Sequence, residues 1–214
     1  MRKNTYPGKL IAFEGVDGSG KGVQINLLMD WLQVEGYGAV QTKRKNSKLI
    51  AQTIQNAKNN RSLSPITYSL IHAADTSDIL AKNIIPALQA GFIVLINKYI
   101  LTSFARDVVR GSEHYWVRQL YDFAMLPDIT FYFKTTPERS LENLGSISNV
   151  DFYDAGMDIG FSPQLEKSFT MFQSQLTGQF ELLHADFKFI TINSFDPVQQ
   201  QQQLIRKVVK GVLP

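Results

Sequence analysis

Residues 13–22 read Phe-Glu-Gly-Val-Asp-Gly-Ser-Gly-Lys-Gly, which restricts the chain to folds where a strand enters a glycine-rich turn and leaves as a helix. The pattern G-x-x-x-x-G-K-[ST] is complete from Gly15 through Val16, Asp17, Gly18, Ser19 and Gly20 to Lys21. Glycines allow successive backbone N–H groups to turn inward around a polyphosphate, and Lys21 supplies a mobile cation. The last letter differs. Gly22 stands where a hydroxyl normally holds Mg²⁺, so the cradle is expected without its direct metal ligand. Nucleotide binding by residues 15–22 is therefore expected, while phosphoryl transfer is left open.

The surrounding pattern supports that context. Leu10-Ile11-Ala12-Phe13 is a short apolar run ending in the loop, as a buried parallel strand should. After it, Ile25, Leu28, Met29 and Leu32 fall at helical spacing, and Gly36 supplies a stop. Further strands are expected over residues 38–42, 92–96, 129–133 and 187–193. The run 92–96 is apolar throughout, hence central and covered on both faces. Ser64-Pro65 opens a long helix towards Ala90, with a kink or break near Ile85 because Pro86 lies inside the pattern. Residues 112–124 read as a helix, Thr136-Pro137-Glu138 starts a short one, and 198–212 closes the chain. Leu165, Phe169, Phe172, Leu176, Phe180 and Leu183 form one helical stripe, which is core packing.

Strands alternating with helices demand a parallel sheet with right-handed crossovers, whose ligands lie beyond the strands' carboxyl ends. That places the phosphate loop, the basic run Lys43-Arg44-Lys45 with Lys48, Asn97-Lys98-Tyr99 and Lys134-Thr135 around one crevice. The basic run by itself is a solvated loop.

At 214 residues, 44% apolar and 19% charged, the chain reads as a single domain over residues 1–214. No apolar run reaches the roughly 18 residues of a spanning helix. The absence of cysteine excludes disulfides and thiol chemistry. A cytoplasmic protein is expected. A net charge of +3 is too small to argue for nucleic acid. His72, His114 and His184 have no metal-ligand spacing, and surface exposure is the default for Arg106 and Arg110.

Residues 13–21 resemble the opening of the thymidylate kinases. Ile84-Ile85-Pro86-Ala87-Leu88 with Gly91-Phe92-Ile93-Val94-Leu95, and Pro127-Asp128-Ile129-Thr130 leading to Pro137-Glu138, are also similar to that family. Residues 64–75, and Tyr153-Asp154-Ala155-Gly156-Met157-Asp158, are most similar to a prokaryotic branch of it. The resemblance implies an α/β, three-layer P-loop kinase fold on a five-stranded parallel sheet. It also implies transfer of the γ-phosphoryl group of ATP to dTMP with Mg²⁺, a lid at about 143–158 and a homodimer. Neither nucleic acid nor membrane is an expected partner.

Carried over position by position, residues 15–22 bind the nucleotide, Lys21 and Lys98 are catalytic cations, and Asp17, His72, Asn97, Lys98 and Tyr99 lie on the acceptor side. Asp17 matches a position facing the acceptor sugar. Asn97-Lys98-Tyr99 stands where the family has Asp-Arg-Tyr. Asn97 lacks the carboxylate charge and Lys98 lacks the two-pronged guanidinium. Thr76, Ile79 and Asn143 replace arginines of the family pattern, and residues 145–154 hold no Arg or Lys. Losing one preorganised contact of this kind costs ~2.7–4 kcal/mol of transition-state stabilisation. The resemblance thus implies weakened Mg²⁺ handling and either impaired dTMP kinase activity or, alternatively, a non-catalytic nucleotide-binding regulatory or assembly partner.

Overall fold

The computed structural model describes residues 1–44 and 47–213; Lys45 of the basic run lies outside them. The strands are β1 (Lys9–Glu14), β2 (Ala39–Lys43), β3 (Ile93–Asn97), β4 (Ile129–Lys134) and β5 (Ile190–Asn193). They form one parallel sheet in the order β2-β3-β1-β4-β5. β1 therefore holds the middle position, and β3 is an interior strand between β1 and β2. Phe92 lies outside β3 and is partly exposed, while Val94 is buried as expected.

The helices are α1 (Lys21–Val34), α2 (Ala51–Asn59), α3 (Pro65–Ile79), α4 (Ile85–Gln89), α5 (Ile100–Val109) and α6 (His114–Leu120). They continue with α7 (Pro137–Leu144), α8 (Leu165–Phe187) and α9 (Val198–Lys210). Alternate strand residues point to opposite faces of a sheet, and two cores follow from that. Ile11, Phe13, Leu95, Phe131 and Phe133 pack with Ile25, Leu28 and Leu32 of α1 and with Ile205 and Val209 of α9. Leu10, Ala12, Val94, Ile96 and Tyr132 pack on the other face with α3, α5 and α8. Phe172, Leu176, Phe180 and Leu183 of the α8 stripe belong to this second core, where Phe180 stacks on Tyr132 at 4.6 Å between centroids.

Several boundaries differ from the sequence expectations. Ser64 caps α3 by accepting from Thr67 N at 3.2 Å. The break before Pro86 takes the form of a π-helical segment, Leu80–Ile84. A widened turn relieves the clash between a proline ring and the carbonyl four residues earlier. Residues 112–124 are helical only over α6, after which Asp122 N and Ala124 N bond three residues back. Phe187, expected in the last strand, ends α8, and Lys188 turns left-handed. The lid region carries two short 3₁₀ turns, Ile147–Asn149 and Met157–Ile159.

Candidate active site

The carboxyl ends of β1, β2, β3 and β5 surround a crevice of about 770 Å³. The phosphate loop forms its floor. Gly15 and Gly18 both have positive φ; a side chain at Gly18 would also meet the Ser140 carbonyl oxygen at 2.2 Å. Gly20 turns left-handed at the N-cap of α1, so the first N–H groups of that helix face the crevice. Lys21 is 5% exposed and folds back on its own loop, donating to Val16 O at 2.5 Å and Ser19 Oγ at 2.8 Å. Burial, and then repulsion from Lys98, push its ammonium down to about 7. At Gly22 an added Cβ would meet nothing within 4 Å, so packing does not require a glycine there.

Lys98 follows β3 with φ of 63°, a left-handed backbone that a lysine adopts at a cost. That turn aims Nζ across the crevice onto the Asp17 carboxylate. Burial alone would raise the Asp17 carboxyl. The cations around it, Lys98 foremost and then Arg106 and Lys21, bring it down to about 2.

Arg106 on α5 and Arg110 at its C-terminal cap, both expected at the surface, are buried. Arg106 is 3% exposed; it pairs with Asp154, donates to Tyr68 OH at 3.0 Å and stands 3.7 Å from Asp17. Arg110 pairs with Asp158 at 2.7 Å, donates to Tyr153 O at 2.6 Å and covers the Tyr68 ring at 4.1 Å. Lys58 of α2 reaches Asp151 at 2.5 Å. The lid region thus brings carboxylates and receives its cations from α2 and α5. The signal was present in the sequence: Arg106 and Arg110 share a helix face four residues apart, and aspartates recur at 151, 154 and 158.

α7 is tied to the floor. Ser140 Oγ donates to the Asp17 carbonyl, and Asn143 Nδ2 donates to the Gly18 carbonyl at 2.7 Å. Glu14, which sequence reading passed over, takes the Leu101 and Thr102 N–H groups at 3.0 and 3.1 Å. A carboxylate against the N-terminus of α5 is well placed electrostatically, and it fixes the helix that carries Arg106.

Of the acceptor-side candidates, Asp17, Asn97 and Lys98 line the crevice. His72 and Tyr99 do not. His72 is fully buried, its ring centroid 4.4 Å from that of Tyr68, and Tyr99 packs in the core between sheet and helices. Burial pushes the Tyr99 phenol upward. Gly15 and Val16 lie behind the loop rather than at its surface: Gly15 backs onto Phe133, and Val16 is a core residue whose carbonyl takes Lys21. Thr76 is buried with its hydroxyl on His72 O at 2.9 Å, and Ile79 is a core residue, so neither position faces the crevice. Lys134 lies outside, paired with Glu181 at 2.6 Å; the loop after β5 takes its expected place. That loop supplies Ser194, whose hydroxyl bonds Ser19 O at 3.0 Å, and the exposed Phe195 with Pro197 and Val198. From β2 come Lys43 and the buried Arg44.

The donor set for a divalent cation is thin. Among the described residues no three acidic or histidine side chains cluster as metal ligands. Asn97 Oδ1 is a buried acceptor without a partner among them, which suits a donor such as metal-bound water. The residues therefore fit Mg²⁺ held mainly by nucleotide oxygens and water.

The family model for thymidylate kinase matches residues 13–205. The chain is 40% identical over 204 residues to "Probable thymidylate kinase 2" of Saccharolobus solfataricus, covering 94% of this chain and 95% of that one. It is 31% identical to "Probable thymidylate kinase" of Pyrococcus horikoshii over 153 residues, 67% of this chain and 75% of the relative. Against "Thymidylate kinase" of Bacillus pumilus the identity is 28% over 216 residues, 96% and 97% of the two chains.

Proposed function

The chain belongs to the thymidylate kinase family, and from that premise we propose that it is a slow ATP-dependent dTMP kinase acting as one P-loop domain over residues 1–214. The observation that carries this reading is the facing of two cation sets across one crevice: Lys21 with the loop N–H groups on one side, Lys98 and Arg106 on the other. ATP sits with its phosphates on the loop from Asp17 to Gly22, and Lys21 leaves Val16 O and Ser19 for the β- and γ-phosphates. The apolar surface of Phe195, Pro197 and Val198 receives the donor base. An oxygen of the acceptor phosphate attacks the γ-phosphorus while the bond to the β,γ-bridging oxygen breaks, giving ADP and dTDP. Asn97 Oδ1, a buried acceptor without a partner among the described residues, would accept from a water on Mg²⁺, and the metal would supply neutralisation of phosphate charge.

The reaction is slow because positioning and charge neutralisation are nearly all that such an enzyme supplies. Gly22 offers no hydroxyl, Asn97 no charge, and Lys98 no bidentate grip. Two partly independent losses take a typical turnover of ~1–100 s⁻¹ to about 10⁻² s⁻¹ or below. A second reading is favoured by the pairing of Lys98 with Asp17 and of Arg106 with Asp154: a nucleotide-binding regulatory partner without turnover. A coupled assay of ADP release with dTMP, with Lys21→Ala as control, separates the two. Slow turnover that disappears in the control supports the kinase. ATP binding without turnover supports the regulator, and ordinary kinase rates would remove the impairment.

The same reading places the protein in the cytoplasm as a homodimer. Supporting it, α3 exposes Ile66, Leu70, Ala74 and Ser77, an uncharged stripe along one face. Among the described residues no helix is long and apolar enough to cross a membrane. Light scattering at micromolar concentration tests the dimer.

A further inference from the structure

We propose that Gln24 is a positioning residue that joins the phosphate loop to the loop receiving the donor base, and so sets how much the base adds to nucleotide affinity; this rests on the kinase reading above. Residues 199–203 are five consecutive glutamines at the start of α9, and of these only Gln201 and Gln202 are buried. Their amides meet Gln24, which is 1% exposed in the first turn of α1. Gln24 Nε2 donates to Val198 O at 3.0 Å and to Gln201 Oε1 at 3.2 Å, and Gln201 Nε2 donates to Asp196 O at 2.7 Å. Gln202, in the amide orientation that its neighbours dictate, donates to Gln24 Oε1 at 2.6 Å and accepts from Leu28 N at 3.1 Å. A further strut joins the same two loops, Ser194 Oγ donating to Ser19 O at 3.0 Å.

Buried amides are costly unless their donors and acceptors are met, and the nitrogen and oxygen of all three find partners here. Ile25, Leu28, Ile205 and Val209 already pack α1 against α9, so the amides are not needed to hold the two helices together. What the amides reach, and the apolar contacts do not, is the turn before α9. Phe195, Pro197 and Val198 are exposed on that turn, and its backbone is held through the Asp196 and Val198 carbonyls. Triphosphate and base belong to one ligand, so both sets of contacts form together only when the two loops stand at a matching distance. Fixing that distance beforehand removes an ordering cost that would otherwise reduce the affinity. The tie is also neutral, and puts no negative charge beside a site for polyphosphate as a carboxylate would.

Calorimetric titration of the full chain with ATP and with inorganic tripolyphosphate, which carries the phosphates without sugar or base, tests this. Gln24→Met keeps the length of the side chain and removes its hydrogen bonds. It should weaken ATP roughly tenfold and leave tripolyphosphate within about twofold. In the dTMP assay the KM for ATP should rise about as much, with kcat within about twofold, because the reacting phosphates are untouched. If Gln24→Met does not fold, Gln201→Met carries the comparison: it frees the Asp196 carbonyl and should lower the ratio of ATP to tripolyphosphate affinity by about threefold or more. Equal losses for the two ligands would overturn the proposal, since Gln24 would then support the phosphate loop alone. An ATP affinity unchanged in both variants would overturn it too, as would an unsubstituted chain that binds tripolyphosphate as tightly as ATP. ATP binding that depends on Gln24, in a chain with no transfer to dTMP, would sustain the positioning role and refute the kinase reading. A chain that binds neither ligand would remove both.

Discussion

Lys98 Nζ donates to the Asp17 carboxylate, so the cation that follows β3 is neutralised by the loop that follows β1. The pair holds one cation of the crevice wall against a carboxylate. Releasing it is therefore a direct probe of what the pairing costs anion binding. Asp17→Asn should tighten inorganic phosphate several-fold, about what a partly exposed ion pair of ~1 kcal/mol can withhold. Calorimetry on the two proteins at equal ionic strength decides the matter; unchanged affinity would mean that Lys98 moves to the anion freely.

Lys21 predicts a proton linkage. Its ammonium is held at about 7 in the free crevice, so much of it is neutral at pH 8. A polyphosphate raises that value and draws in a proton. ATP binding should take up close to one proton at pH 8 and almost none at pH 5.5, measured by titration in buffers of different ionisation enthalpy. For stability the sign is opposite to that of a paired lysine. The depressed folded value costs the fold most below pH 7, and the penalty fades as pH rises from about 7 towards the unfolded value of ~10.4. Equal proton uptake at both pH values would contradict the buried, repelled state of Lys21.

Repair of the crevice should raise turnover. A Cβ at position 22 meets nothing within 4 Å, which leaves room for Gly22→Ser; Asn97→Asp restores a carboxylate, and Lys98→Arg restores a fork. Together they should gain roughly 10²-fold in transfer to dTMP, since such residues act as a unit. Recovery is partial because Lys98→Arg inherits the Asp17 pairing. No gain, with fold and ATP binding intact, would place the defect in the acceptor pocket.

The lid is pinned by buried ion pairs, and burial sets their worth. The Arg110 and Asp158 side chains are almost wholly enclosed. Arg110→Ala should destabilise the fold by ~3–5 kcal/mol, because it strands a buried carboxylate and the Tyr153 carbonyl. Lys134→Ala, breaking the exposed pair with Glu181, should stay within about 1 kcal/mol. Urea denaturation of the two variants gives the contrast, and similar losses would show that the lid pairs are not the anchor.

What was legible in the sequence was local. Residues 15–22 are dictated by glycine spacing, and β1 and β3 by unbroken apolar runs, so both emerge from short windows. The cap at Ser64 and the proline break near Ile85 are equally local, although the π form of the break is not. Arg106 and Arg110 were placed at the surface by default because their burial depends on residues far along the chain, Asp154 and Asp158. Tyr99 follows Lys98 in the chain but packs in the core, and His72 is buried against the Tyr68 ring, contacts that no short window of sequence shows. α2 escaped notice because, in a polar segment, only Ile54 and Lys58 are buried.

The left-handed backbone at Lys98 sets stability against usefulness at a single position. Glycine, free of a Cβ, would relax that turn by roughly 1 kcal/mol. The same replacement would take the cation off the crevice wall. A search for thermostable variants that scored only melting temperature would select glycine here and discard the lysine without noticing. Retention of Lys98 in variants selected for activity, and its loss in those selected for heat resistance alone, would be the mark of a side chain kept for chemistry at the backbone's expense.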